Sequence, residues 1–400
     1  MRRYKYKAKD KKTGKEVKGV IQAENEQTAG HLLIDQGYVP LSVTEEGEGF
    51  LGSKGKITSK DRITFTRQMA TLIGAGLPLA SSLRTVIDQT QGKAMKTVVE
   101  EILVSVESGK SLFDSFSKYP NIFNGVYLAL IKAGEASGTL DLALKRLADQ
   151  EEKDAAMMSK IRGALVYPAI IFVVIIAVLA FMMIMVVPQV EGLYEDMGKE
   201  LPGLTKFLVG ISHFFGQFWW AVLIVIIGII AASWYAVKKT PAGRKVADSV
   251  KLHVPIFGGL FKKLYVSRFA RTAEMMIATG VPMLDSIKIA IEATNNTVVE
   301  EEYSKSLEKI KAGKPLSESI RDLNYMLPLV PQMASIGEES GKIDEMLGKA
   351  ANVYENELDE QINNISTMIE PILMVIMAGL IGVVVGGTLL PIYSLVNSIG

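Results

Sequence analysis

The stretch from Phe65 to Val190 occurs twice in this chain, and that duplication constrains the fold more than any other feature. Identical residues first recur at a constant offset of 204 positions, as Phe65 and Phe269 show. One residue then drops out, and the match continues at an offset of 203 positions, as between Gly134 and Gly337. Glycines and prolines held in one register over this length indicate two diverged copies of one fold unit.

Each copy ends in a long run without charged residues, over positions 163–190 and 371–400. Both runs exceed the roughly 20 apolar residues that an α-helix needs to cross about 30 Å of hydrocarbon. A third such run, 207–237, has aromatic residues near both ends of its most apolar part, which suits the two interfaces of a bilayer. The sequence therefore predicts three transmembrane helices, at 165–188, 214–237 and 371–396.

The polar segments divide the rest of the chain into domains. Residues 1–44 alternate like strands around one helical segment and predict a small basic α+β module, and the Gly-rich residues 45–59 predict a flexible linker. Helical periodicity punctuated by Gly and Pro predicts bundles of about six helices each. The expected fold is a mainly α polytopic membrane protein with two homologous cytoplasmic bundles, at 60–164 and 238–370, and a short external connector at 189–213.

The orientation follows from the distribution of Lys and Arg near the spans. Five of these residues lie within the 20 positions after the second span, whereas the connector before it has only Lys199 and Lys206, beside four acidic residues. The positive-inside rule then places both bundles in the cytoplasm, and the connector and C-terminus outside a cytoplasmic membrane. The orientation of the third span rests on parity alone. The basic N-terminus lacks the apolar core of a signal peptide, so we expect the internal spans to direct insertion.

Short corner motifs recur in both copies and are the candidate site residues. Gly permits a positive φ, and an acidic residue in a first helical turn suits the helix dipole, so the simplest interpretation is a set of helix–turn–helix corners. The alternative is that Glu135 and Glu338 form a surface that binds a partner or a cation. The corner residues of the first copy are Gly76, Pro78, Gly109, Lys110, Gly134, Glu135, Gly138 and Asp141, and those of the second are Gly280, Pro282, Gly313, Lys314, Gly337, Glu338, Gly341 and Asp344.

Several classes of function are disfavoured. Ser108 to Ser111 resembles the end of a phosphate-binding loop, but the earlier glycine is replaced by Val104, so we reject nucleotide binding. The spans contain no Asp, Glu, Lys or Arg, which argues against an ion-coupled permease and an intramembrane hydrolase. With no Cys and three His, neither a catalytic set nor a metal site is specific enough to predict. We expect no enzyme activity and no cofactor.

Three further features leave alternatives open. The acidic residues at 151–154 and 355–360 predict solvated faces of long helices, with a divalent cation as the less favoured alternative. Gly379, Gly382 and Gly386 form a small-residue face that predicts close helix packing, within the chain or between subunits. The first 20 residues carry nine Lys or Arg against two acids, which fits either docking to an acidic partner or anionic lipid, or a solvated strand face. Nucleic-acid binding is disfavoured because no recognition helix is evident.

The duplicated unit resembles the PilC/GspF family, the polytopic inner-membrane platform proteins of type IV pilus assembly and type II secretion. The resemblance covers essentially the whole chain and is carried by IGAGLPL and IATGVPM, by GEASG and GEESG, and by LPGLT at 201–205. It implies a non-enzymatic scaffold that forms homo-oligomers in the cytoplasmic membrane. The implied partners are a hexameric assembly ATPase, pilin or pseudopilin subunits, other inner-membrane assembly proteins and membrane lipid.

The main alternative function is a small-solute membrane permease, and a second is a membrane-bound enzyme. Both would need polar groups that the spans do not supply. The sequence leaves open whether the machine builds a pilus, secretes proteins or takes up DNA.

Overall fold

The computed structural model describes residues 2–10, 16–23, 26–35, 37–45, 57–196, 201–255 and 257–396. These residues are mostly α-helical, and their strands are confined to one small sheet near the N-terminus. The chain divides into two compact units. The first contains the sheet together with residues 91–97, and the second contains the rest of the helical chain from Ser59 onward.

The N-terminal sheet has three antiparallel strands in the order β2-β1-β3. Its strands are β1 (Arg2–Asp10), β2 (Glu16–Ala23) and β3 (Tyr38–Glu45), and α1 (Glu26–Asp35) lies between β2 and β3 in the chain. Ala8 of β1 and Leu33 of α1 are fully buried and form its core. This agrees with the α+β module predicted from alternation. Most of the predicted linker, residues 46–56, lies outside the described residues.

Two helical bundles repeat one order of elements. The prediction of about six helices in each is confirmed. The first consists of α2 (Ser59–Gly74), α3 (Leu79–Gln89), α4 (Lys93–Glu107), α5 (Leu112–Ser117), α6 (Gly125–Ser137) and α7 (Leu140–Phe181). Between the bundles lie α8 (Val187–Asp196), α9 (Gly203–Lys239) and α10 (Pro241–His253). The second consists of α11 (Phe257–Ala278), α12 (Met283–Ala293), α13 (Thr297–Lys311), α14 (Leu316–Arg321), α15 (Leu329–Ser340) and α16 (Ile343–Val396).

The two bundle cores are filled differently although their helices correspond. In the first bundle, Phe116 stacks on Phe123 with 4.3 Å between ring centroids, and Tyr127 of α6 meets Phe116 edge to face. In the second bundle, Phe269 packs against Tyr303 of α13 at 5.3 Å. Both tyrosines are almost completely buried. A large aromatic group thus fills each core from a different helix, as expected when close packing constrains total volume more than residue identity.

Three helical segments are long and apolar enough to cross a membrane: Leu140–Asp196, Thr205–Lys239 and Ile343–Gly387. The first passes through a π-helical turn at Met182–Val186, which ends two residues before Pro188. Proline lacks an N–H and crowds the preceding turn. The second is kinked at Phe218. The third belongs to α16, a single helix of 54 residues that begins in the second bundle and continues into the span. The predicted connector, 189–213, is helical in its described part except at 201–202.

Candidate functional site

The two corner motifs of each bundle meet through one glutamate. The Glu135 carboxylate accepts hydrogen bonds from the backbone N–H groups of Leu112 at 2.7 Å and Phe113 at 3.1 Å. Glu338 accepts from the N–H of Leu316 at 2.5 Å and from the Ser317 hydroxyl at 2.5 Å. The N–H groups among these donors lie in the first turns of α5 and α14, where backbone N–H groups have no partner within their own helices. Each glutamate therefore caps a short helix inside its own bundle.

Glycines let the helices of the same corner approach closely. A Cβ on Gly134 would lie 2.6 Å from the Ala143 Cβ, and one on Gly337 would lie 2.7 Å from the Ile343 Cα. Gly138 and Gly341 end α6 and α15 with φ of 74° and 70°, a conformation that favours glycine. The geometry explains why glycine occupies both positions in both copies.

The other corner residues also take positions within the bundles. Ser137 donates to the Ala133 carbonyl of its own helix, whereas Asp141 and Asp344 lie in the first turns of α7 and α16. Lys314 pairs with Glu318 at 2.7 Å. Lys110 is exposed, Pro78 and Pro282 immediately precede α3 and α12, and Gly76, Gly109, Gly280 and Gly313 have φ between 80° and 85°.

An arginine ties the first helix of each bundle to its last. Arg67 of α2 forms two hydrogen bonds of 2.7 Å to Glu152 and one of 2.6 Å to Asp149, both on α7. Arg271 of α11 forms two hydrogen bonds of 2.9 Å to Glu355 on α16. Sequence reasoning did not predict these hydrogen-bonded ion pairs between helices. The available signal was that both members of each pair recur at the repeat offset.

The two long helices α7 and α16 meet in a polar cleft, which we call the helix-junction cleft. It has a volume of about 470 Å³ and is lined by Gln150, Lys153, Asp154, Lys160, Arg268 and Glu355, among others. The Lys160 ammonium lies 2.7 Å from the Asp359 carboxylate across the two helices, and the Lys153 ammonium lies 3.8 Å from Glu355. Basic groups from α7 thus meet acidic groups from α16.

Apolar side chains close the junction on the side nearer the spans. Ile161 of α7 packs with Leu358 and Ile362 of α16 and with Leu264 of α11, and all four are buried. Apolar burial stabilises by about 25 cal/mol per Å² removed from water, which is about 1.5–3 kcal/mol for each fully buried Leu or Ile side chain. An exposed ion pair contributes about 0–1 kcal/mol. The apolar cluster therefore holds α7 against α16, and the ion pairs lie beside it.

Electrostatics within the cleft are mixed rather than anionic. Burial raises the pKa of Asp154, and the Arg268 guanidinium 3.8 Å away opposes that rise. Arg268 Nε is buried without a hydrogen-bond partner. Among the described residues, no group of three or more His, Asp or Glu is arranged to hold a metal ion. The charged groups of the cleft can hold α7 and α16 together by pairing lysines of one helix with acidic residues of the other.

The predicted solvated face is wrong for Glu151. Its side chain is only 10% exposed, lies 2.7 Å from Arg62 and accepts a hydrogen bond from Thr66 at 3.2 Å. Thr66 also contacts the Tyr127 hydroxyl at 3.2 Å. The corresponding residues of the second bundle are apolar or aromatic: Val266, Ala270, Val330 and Tyr354. The first bundle therefore buries a polar network where the second has a continuous apolar core.

The spans contact one another through both apolar and polar groups. Val187 packs with Leu208 and Val209 in a buried apolar cluster. The Thr205 hydroxyl donates to the Gly387 carbonyl at 2.8 Å, and the Ser212 hydroxyl donates to the Met183 carbonyl. His213 and Glu191 meet at 2.8 Å near the ends of two spans. A Cβ built on Gly379, Gly382 or Gly386 meets no described atom within 4 Å, and packing of this small-residue face between subunits stays a prediction.

The chain matches known proteins over its full length. The family model described as type II secretion system protein F matches twice, at residues 65–188 and 269–391, and the N-terminal domain model of the same protein matches residues 1–44. The chain is a member of the type II secretion system protein F family. The twofold match confirms both the resemblance and the duplication found in the sequence.

Curated relatives of this protein F family member fall into two named groups. A type IV pilus assembly protein PilC from Thermus thermophilus is 36% identical over 405 residues, covering 99% of this chain and 98% of the relative. A PilC from Pseudomonas aeruginosa is 38% identical over 369 residues, covering 92% and 98%. A type II secretion system protein F from Vibrio cholerae is 32% identical over 407 residues, covering 99% of each chain.

Proposed function

We propose that this chain is an inner-membrane platform protein of a type IV pilus assembly or type II secretion machine. The observation that carries the proposal is similarity to PilC and protein F over nearly the whole length of each, together with three spans. The spans contain no acidic or basic residue with which to couple a solute to an ion, which disfavours the permease alternative. The role is that of a non-enzymatic scaffold.

The same proposal assigns partners and an orientation. Both bundles lie in the cytoplasm, where they contact a hexameric assembly ATPase, and the spans contact pilin or pseudopilin subunits and other inner-membrane assembly proteins. The proposal keeps the domain limits that were predicted from the sequence.

Because the chain has no cysteine, single cysteines can test its orientation. A cysteine at Glu195 should react with an impermeant maleimide in intact cells, and one at the exposed Asn295 should not. Equal labelling of the two cysteine variants would contradict the proposed orientation.

The helix-junction cleft gives the proposal a mechanical basis. Each bundle ends in a helix that enters a span, and ion pairs and an apolar cluster hold these two helices together just before the membrane. A displacement imposed on either bundle by the ATPase is carried along α7 or α16 to the spans and shared between them. Extraction and polymerisation of pilin-like subunits would use this movement.

A helix-breaking insertion tests this lever. Two glycines inserted after Met158 interrupt α7 between the bundle and the span, since each interior glycine costs about 1 kcal/mol relative to alanine and loosens the helix. We expect filament assembly or secretion to be lost while the protein remains in the membrane. The same two glycines inserted after Gln91, in the loop between α3 and α4, should be tolerated. Normal assembly by the Met158 insertion would refute the lever.

The partners are tested by mass spectrometry of proteins recovered with the tagged chain from gently solubilised, cross-linked membranes. An assembly ATPase together with pilin-like subunits is the expected recovery, and the identity of those subunits distinguishes a pilus from a secretion machine. Reproducible recovery of neither would contradict the platform function. Uptake of a solute by the purified chain in vesicles would instead support the permease.

A further inference from the structure

The two bundles of one chain touch through different faces. Helix α6 of the first bundle packs on α12 of the second. The groove between them has a volume of about 580 Å³ and is lined by Leu128, Ala129 and Ala133 from α6 and by Val281, Asp285 and Ile289 from the second bundle. Gly125 lies at one end, where a Cβ would come within 3.2 Å of Glu292. This contact is heterologous, since the face used by one bundle differs from the face used by the other.

Each bundle also carries the face that its neighbour uses, because the bundles are copies of one unit. The first bundle has α3, the counterpart of α12, and the second has α15, the counterpart of α6. In the described residues, the main backbone contacts of α3 are with α2, and those of α15 are with α14 and α16, all within their own bundles. Besides the junction of α7 with α16, one chain therefore has one internal contact of this kind and, in the described residues, two unmatched faces of the complementary kinds.

Each unmatched face exposes one apolar side chain at a position whose counterpart lines the internal groove. Leu77, which precedes α3, is 37% exposed, whereas its counterpart Val281 is half-buried in the groove. Ile336 of α15 is 47% exposed, whereas its counterpart Ala133 is half-buried. Each position is therefore covered in one copy and exposed in the other, so a second bundle packed in the internal geometry would bury both side chains.

Charge is complementary at one pair of positions on the two faces. Arg84 of α3 is exposed and pairs within the chain with Glu107, and Glu339 of α15 is exposed and acidic. Their counterparts in the repeat, Lys288 and Ala136, both line the internal groove. An approach of α15 to α3 in the internal geometry would therefore bring opposite charges to the same groove.

We propose that a second copy of this chain covers these faces, with α15 of one chain packing on α3 of the next as α6 packs on α12 within the chain. The same kind of contact then alternates within and between chains. A heterologous contact of this type builds a ring where it closes. All bundles are tethered to one membrane, so the contact repeats in the plane of that membrane. A chain that failed to recruit an ATPase would still form it.

Cysteine cross-linking tests the contact directly in this cysteine-free chain. Two differently tagged chains, one with Leu77→Cys and one with Ile336→Cys, are co-expressed, and membranes are treated with a short bis-maleimide. We expect a covalent pair carrying both tags, formed severalfold more than when Val104→Cys, exposed on α4, replaces Leu77→Cys. A chain with both Ala133→Cys and Val281→Cys, which should link internally, reports that the bundles are folded and reactive.

Two results would overturn the proposal. One is the absence of a mixed pair in membranes where the Ala133→Cys and Val281→Cys chain becomes linked internally. The other is efficient linkage between chains that all carry Leu77→Cys alone, because that product requires a two-fold contact in which each chain uses the same face. A mixed pair without either homogeneous pair supports the head-to-tail contact.

Discussion

A single carboxylate explains why two separate motifs recur together in each copy. Glu135 and Glu338 belong to GEASG and GEESG, yet their hydrogen bonds go to the helix that follows the Gly-Lys corner. At the residue scale, the functional interpretation of these glutamates as a partner surface is therefore less economical than a structural one. Buried N–H groups at a helix start need an acceptor, and a carboxylate there also suits the helix dipole.

Removing that cap should destabilise the second bundle. Glu338→Ala leaves the N–H groups of Leu316 and Ser317 at the start of α14 without an acceptor, and loss of an N-terminal cap costs about 0.5–2 kcal/mol. Thermal unfolding of the purified protein in detergent should show a lower Tm. The adjacent Glu339 is exposed, so Glu339→Ala is the matched control and should leave the Tm nearly unchanged. Equal effects of the two substitutions would show that Glu338 does not act as a cap.

Two neighbouring glutamates of α7 should give opposite pH dependences. Burial raises the pKa of Glu151 in the folded state above its ordinary value of 4.5. At a pH between the unfolded-state and folded-state pKa values, the folded protein binds more protons than the unfolded chain. The stability of the protein therefore falls as the pH rises through this range. Hydrogen bonds from Arg67 lower the pKa of Glu152, so its contribution is present above 4.5 and is lost as the pH falls towards the folded-state pKa.

The measurement is the Tm as a function of pH for Glu151→Gln and Glu152→Gln, each compared with the unmodified protein. Glu151→Gln should remove a decline in stability with rising pH above 4.5, and Glu152→Gln should remove a decline with falling pH below it. Each variant serves as the control for the other. Changes of the same sign in both would show that burial does not dominate at Glu151.

At the element scale, close approach of consecutive helices defines the corners. Helices α15 and α16 approach so closely at Gly337 that any side chain there would meet the backbone of Ile343. A similar approach occurs between α6 and α7 at Gly134. Backbone atoms cannot rotate away as a flexible side chain can, so these positions admit only glycine without a shift of one helix.

A methyl group at Gly337 should therefore move the start of the long helix. Overpacking of this kind costs about 1–3 kcal/mol, and we expect Gly337→Ala to lower the Tm accordingly. Gly74 is the control, because a Cβ there meets no described atom within 4 Å and Gly74→Ala should be tolerated. If both substitutions were equally mild, the close approach of α15 and α16 would not constrain the corner.

At the scale of the whole molecule, the central feature is that both bundles end in helices that meet before entering the membrane. The apolar cluster around Ile161 and Leu358 supplies the attraction, and the pair Lys160–Asp359 lies beside it. An exposed pair of this kind contributes about 0.2–1 kcal/mol, so its importance lies in the relative position of the helices rather than in total stability.

Charge reversal should reveal that positional role. Lys160→Glu places a carboxylate against Asp359, and we expect impaired filament assembly or secretion with a change in Tm that remains small. The double variant Lys160→Glu with Asp359→Lys restores opposite charges and should recover assembly. Failure of the double variant to recover, with normal protein levels in the membrane, would show that the pair has no role in coupling the two helices.

The sequence by itself determined the duplication, the three spans, the helical bundles and the N-terminal α+β module. These depend on local periodicity and on uninterrupted apolar length, which a sequence displays directly. Gly138 and Gly341 were also predictable as corner residues, because a positive φ is a local requirement.

Only the tertiary structure decided which side chains meet across the bundles. Glu151 belongs to a charged run that reads as a solvated face, yet it packs beside Arg62 and Thr66 from another helix. Lys160 and Asp359 lie 199 residues apart, and no local pattern pairs them. The faces of α3 and α15 that are unmatched in the described residues likewise become visible only once the contact between α6 and α12 is known. Long-range contacts depend on how whole helices pack, and that information is distributed over the entire chain.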